Sequence, residues 1–173
     1  RIQTLLYDSR HNLWIGSTDG LFVLRAGAST PEPYPPLAGK RIWQLAEQAP
    51  DTFWVATSDG LYQLQDQATP HGSWFQAGDL AGAEIRAVTV TGQQLLIGRR
   101  SGINLLDLSS RRLRQCALIS NANMLQSNGP DRWLVGSIDG LYQLTFNAGG
   151  CSEQTLLPAV DIRQLYRDKW QNT

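Results

Sequence analysis

Leu13 to Leu24 reads LWIGSTDGLFVL. Three later stretches align with it without gaps: Phe53 to Leu64 (FWVATSDGLYQL), Leu95 to Leu106 (LLIGRRSGINLL) and Trp133 to Leu144 (WLVGSIDGLYQL). The fourth column holds Gly16, Ala56, Gly98 and Gly136, spaced 40, 42 and 38 positions apart. A period near forty with such columns marks a repeat array. The first three columns form a short run of aromatic and β-branched residues, which predicts a strand buried on both faces. The small residue behind it leaves room for a close neighbour. A turn follows at Asp19-Gly20, Asp59-Gly60, Ser101-Gly102 and Asp139-Gly140. Asp-Gly between two apolar runs is a strong hairpin signal, because glycine accepts positive φ and aspartate tolerates it. Each copy is therefore expected to be a hairpin.

Working outward, an inner strand is expected about thirteen residues before each hairpin core: Ile2 to Leu6, Ile42 to Leu45, Ile85 to Val88 and, with a weaker pattern, Ala122 to Leu125. A fifth opens at Ile162 to Tyr166 with no hairpin behind it. Outer strands fit around Glu32 to Leu37, Trp74 to Ala77, Leu113 to Leu118 and Gln154 to Leu157. The first of these is proline-rich, which suits an edge. Four strands per repeat is the blade of a β-propeller. The expected fold class is all-β: four consecutive four-stranded antiparallel blades, at about 1–40, 41–83, 84–121 and 122–160, with 161–173 as the first strand of the next blade in a larger ring. Helical solenoids are excluded, since apolar runs of four or five residues broken by Asp-Gly are too short for helices. A β-helix repeats at a much shorter period.

At these residues the chain resembles a known family. Ile-x-x-Leu-x-x-Asp, a polar turn, then Leu-Trp-Ile-Gly-Ser-x-Asp-Gly-Leu is similar to the two-component regulator propeller repeat; Arg1 to Leu24 follows it almost throughout. Copy three departs, with Ser101 for aspartate, Asn104 for the aromatic and Thr91 where Asp8 and Asp168 stand. The motif is structural, so it speaks to fold before activity. The resemblance implies the periplasmic sensor region of a bacterial membrane receptor, with a histidine kinase or diguanylate cyclase as output. On that reading the chain is a ligand-sensing or dimer-positioning ectodomain segment for signal transduction, and the parent is membrane-anchored. Ligands in the family are often oligosaccharides. The alternative reading is a protein-interaction scaffold.

Fifteen Lys and Arg balance fifteen Asp and Glu, and the pI is near 6.9, which gives no electrostatic reason to expect nucleic acid as partner. The groupings Arg99-Arg100 and Arg111-Arg112 with Arg114 read as solvated turns. No apolar run approaches the ~18 residues of a membrane span. The chain opens on Arg1 and stops within a repeat, so a piece of something longer is expected. Cys116 and Cys151 have no Cys-x-x-Cys spacing and no nearby histidines, so zinc is not expected. They read either as a disulfide or as two buried free thiols, with free thiols preferred.

No catalytic residue, metal or cofactor is expected. His11 and His71 are the only histidines, each in a polar loop, and no nucleophile elbow or phosphate loop is present. Asp19, Asp59 and Asp139, always beside Gly20, Gly60 and Gly140, read as turn formers together with Gly102, not as a calcium site. Trp14, Trp54 and Trp133 read as packing between blades. Trp43 stands at the start of an inner strand, and Arg86, Asn123 and Arg163 occupy the equivalent place in other copies, with Gln3 in the first. Trp43, Arg86, Asn123 and Arg163, with the hairpin-tip Arg99 and Arg100, form the candidate ligand site, suited to a sugar or a small anion. Exposed blade faces are expected to drive self-association.

Overall fold

The computed structural model describes residues 1–66, 71–75, 80, 82–129, 131–147 and 150–162, without the side chains of His71 and Trp74. The first sheet comprises β1 (Ile2–Tyr7), β2 (Leu13–Ser17), β3 (Leu21–Leu24) and β4 (Glu32–Pro33). The second comprises β5 (Ile42–Ala49), β6 (Thr52–Thr57), β7 (Gly60–Gln65) and β8 (His71–Phe75). The third comprises β9 (Ile85–Thr91), β10 (Gln94–Arg99), β11 (Gly102–Asp107) and β12 (Leu113–Ala117). The fourth comprises β13 (Met124–Ser127), β14 (Arg132–Gly136), β15 (Gly140–Asn147) and β16 (Gly150–Pro158). In each sheet the order in space follows the order in sequence. The chain divides into two compact units, residues 1–90 and 91–173, each described by itself.

Local chemistry explains the hairpins. Ser17 Oγ donates to the Gly20 carbonyl (2.9 Å) and accepts from the Asp19 amide (3.0 Å). Thr57 repeats the arrangement with Gly60 and Asp59, and the Ser137 hydroxyl accepts from the Asp139 amide. A hydroxyl one place after the small residue thus braces the turn. Gly102 has φ +138°, and a Cβ there would lie 2.4 Å from the Ala117 carbonyl oxygen, so both conformation and space require glycine.

The fourth-column glycine receives an isoleucine of the segment that follows. A Cβ on Gly16 would lie 2.7 Å from Cγ2 of Ile42, the first residue of β5, and one on Gly136 would lie 2.6 Å from Cγ2 of Ile162. Around the first seat Trp14 meets Phe53 at 4.8 Å and Tyr34 at 5.2 Å between ring centroids, and Val23, Leu37, Leu45 and Leu64 complete one buried cluster. Burial of each large side chain contributes about 1.5–3 kcal/mol. In the second unit Trp133 packs on Phe146 at 4.3 Å, with Leu95, Ile97, Val135 and Leu144 buried.

Each hairpin tryptophan also finds an acceptor for its indole N–H. Asp8 accepts from Trp14 (2.8 Å), Gln48 from Trp54 (2.8 Å) and Thr91 from Trp133 (3.2 Å). Thr91, which stands at the Asp8 column in copy three, serves the tryptophan of the following copy instead of one in its own hairpin. Asp8 also accepts from the Arg10 and Asn12 amides (2.9 and 2.8 Å), which folds the chain from β1 into β2.

Several sequence expectations need correction. Cys116 and Cys151 are not free thiols. They form a disulfide that joins β12 to β16, with Cα atoms 5.3 Å apart. The first outer strand is only Glu32–Pro33, after which Pro35–Leu37 forms a 3-10 turn, because prolines remove the amides a longer ladder needs. The fourth inner strand begins at Met124, not Ala122, and the last outer strand runs the full Gly150–Pro158. In the first sheet Leu13 and Ile15 are only half-buried, so β2 is covered fully on one face alone. Expectations for residues 76–79, and for the fifth strand beyond Ile162, lie outside the described residues.

Candidate ligand-binding site

The register of β5 on β6 decides how Trp43 is presented. Ile42 pairs with Thr57 and Gln44 with Ala56, so Trp43 is the extra residue of a β-bulge. The same bulge occurs at Gln3, between Ile2 opposite Ser17 and Thr4 opposite Gly16. A bulge twists the strand and re-aims the side chain it carries. The next inner strand, β9, is tied to β5 where the Val88 amide donates to Gln44 Oε1 at 3.2 Å. Beside that tie, the Arg86 guanidinium carbon lies 5.2 Å from the Trp43 ring centroid.

A second cation shares the ring. The Arg41 guanidinium lies 5.4 Å from the Trp43 centroid. Positive charge over an indole face is drawn to its quadrupole, contributing about 0.5–2 kcal/mol depending on exposure. Glu84 partners Arg86, with Oε2 3.3 Å from Nη2. Trp43 and Arg86 are half-buried, while Arg41 is exposed. The Trp43 indole Nε1 is buried, with no acceptor among the described residues. Sequence reasoning missed Arg41 and Glu84. Their only signal was position: Arg41 stands two places before Trp43 as Glu84 stands two places before Arg86, each just ahead of its inner strand.

The remaining candidates lie in the second unit or beyond. Arg99 ends β10 opposite Gly102, and Arg100 follows in the turn, where its carbonyl accepts from the Asn121 amide at 2.9 Å. Asn123 is half-buried, and its amide donates to the Gly136 carbonyl at 2.9 Å. Arg163 lies outside the described residues. The structure thus joins Trp43 with Arg86.

Other polar groupings are occupied by structural bonds. A cleft of about 360 Å3 in the first unit is lined by Arg10, Asn12, Arg25, Asp51 and Asp66. There Arg10 pairs with Asp51 and Arg25 with Asp66, so the charges cancel. Asp107 accepts from the amides and hydroxyls of Ser109 and Ser110. Among the described residues no three His, Cys, Asp or Glu side chains group as metal ligands would.

No family model matches the chain, and no curated protein does either. Solved structures do. The extracellular domain assigned to the hybrid two component system BT3049 of B. thetaiotaomicron superposes with TM-score 0.77 at 18% identity, over 99% of this chain and 26% of that one. The extracellular domain assigned to a one component system, BT4673 of the same organism, gives 0.69 at 23% identity, over 89% of this chain and 21% of that one. Streptogramin B lyase gives 0.65 at 17% identity, over 89% of this chain and 54% of that one. With four antiparallel four-stranded sheets already in place, these neighbours decide the fold. It is a β-propeller. This propeller chain spans about a quarter of the BT3049 domain and about a fifth of the BT4673 domain. At these identities the likeness establishes the propeller fold, and no helix among the described residues is long and apolar enough to cross a membrane.

Proposed function

We propose that this chain is a segment of the periplasmic sensing region of a bacterial membrane signalling receptor. In this reading it binds a small ligand or positions a dimer partner, and performs no chemistry of its own. Its blades run over 1–40, 41–83, 84–121 and 122–160, with 161–173 opening another, and the Asp-Gly pairs serve the turns. The observation that carries the reading is the contact of Trp43, the bulge residue of β5, with Arg86 at the equivalent place of the repeat in β9. Such presentation of large polar and aromatic groups has no role in holding a hairpin together. The structural neighbours, themselves extracellular domains of signalling systems, support it. Arg99, Arg100, Asn123 and Arg163 are proposed as ligand contacts of the second unit, taken by itself.

The test is the double substitution Trp43→Ala with Arg86→Ala in the full-length receptor. The stimulus response is expected to disappear while expression and melting temperature hold. An unchanged response would dispose of the sensing site. A scaffold role draws on a different observation: Ile2, Leu5 and Tyr7 of β1 are 61%, 59% and 65% exposed, an apolar surface for a second copy of the chain.

A further inference from the structure

We propose that the Arg41–Trp43–Arg86 cluster recognises its ligand through an anionic group, a carboxylate or a sulfate, and not through sugar stacking. The inference deepens the sensing reading and rests on it only for biological purpose. Two guanidinium groups lie 5.4 and 5.2 Å from one indole centroid. A neutral sugar recognised by tryptophan lies flat on an open ring face. Here the ring is half-buried and both cations crowd it, so little face remains. What the cluster offers instead is forked N–H donors, whose geometry fits the paired oxygens of a carboxylate or sulfate.

The charge balance points the same way. Glu84 touches Arg86, and among the described residues no carboxylate pairs with Arg41. Two guanidinium groups thus stand beside the single Glu84 carboxylate in this cluster, on a protein whose formal net charge is zero. Arg41 is exposed, so an incoming anion reaches it without rearrangement of the core.

Calorimetric titration of the full-length protein with glucuronate, glucose 6-sulfate and glucose tests this, with acetate and sulfate as bare anions. The charged sugars are expected to bind at least about tenfold tighter than glucose, the value of one charge-assisted hydrogen bond. Arg41→Gln, at an exposed position, is expected to remove that preference; Glu84→Gln should strengthen it, and added salt weaken it. Acetate or sulfate binding that Arg41→Gln abolishes would place recognition in the anionic group itself. Glucose binding as tightly as glucuronate, absence of binding by every anion, or indifference to Arg41→Gln overturns the proposal. The two readings separate cleanly. Loss of signalling in the Trp43 and Arg86 variant with equal glucose and glucuronate affinity rejects only the anion. Intact signalling with anion binding that depends on Arg41 rejects only the sensing role.

Discussion

Asp8 shows how one side chain can organise a turn and a core at once. The residue is 5% exposed, and its carboxylate accepts from two backbone amides, the Asn12 side chain and the Trp14 indole. Asp8→Ala strands these donors, so a loss of about 3 kcal/mol is expected in urea denaturation. Its ionisation follows from the same bonds. Burial opposes the charged form, but the hydrogen bonds from Asn12, Trp14 and Arg10 outweigh it and hold the group below its ordinary value. Asp59 behaves alike, burial being outweighed by Lys40 and Thr57, and Asp107 is drawn down to about 2 by the hydroxyls and amides of Ser109 and Ser110. A depressed folded value means stability that is complete above the unfolded carboxylate pKa of about 3.9 and is lost as pH falls through the folded one. Melting temperature should therefore be flat from neutrality to about pH 5 and fall steeply below about pH 4. Asp8→Asn should blunt that fall.

At the scale of the element, the disulfide between β12 and β16 ties the outer strands of consecutive sheets across 35 residues. Reduction is expected to cost roughly 2–4 kcal/mol, read as a shift of the denaturation midpoint with and without reductant. A midpoint that does not move would mean β15 and β16, which pair over their whole length, hold this edge unaided. The two cysteines were opaque in the sequence because nothing local distinguishes Cys116 from any half-buried strand residue. Their proximity exists only once two sheets stack. The hairpins were legible for the opposite reason: apolar run, small residue and Asp-Gly turn act within twelve positions. Outer strands carried a weaker signal, and in Pro31 to Pro36 the missing amides cut the strand to Glu32–Pro33. The candidate site was half legible. Trp43 and Arg86 share a column of the repeat, so alignment alone pairs them. Arg41 and Glu84 lie just ahead of their strands, where no column of the repeat singles them out.

Across the whole molecule, the proposed scaffold role makes a prediction of its own. Leu5 and Tyr7, two apart on β1, present exposed apolar side chains to the same side. Sedimentation velocity is expected to show association of the chain, and Leu5→Lys with Tyr7→Lys should weaken it by more than about tenfold. A wild-type monomer that binds no apolar dye would rule this out. Each of the two units meanwhile has buried aromatic packing of its own: Trp14 with Phe53 in the first, Trp133 with Phe146 in the second.

The isoleucine that rests on a bare glycine of the preceding sheet, at Ile42 on Gly16 and again at Ile162 on Gly136, has a further consequence. At these two joints the following segment brings a plug and the middle strand of the preceding sheet a socket. A tandem duplication of the gene segment therefore yields a copy whose edges already mate with those on either side. Arrays of this kind can lengthen or shorten by whole modules without redesign of any existing joint, whereas enlarging a single glycine would jam the joint it serves.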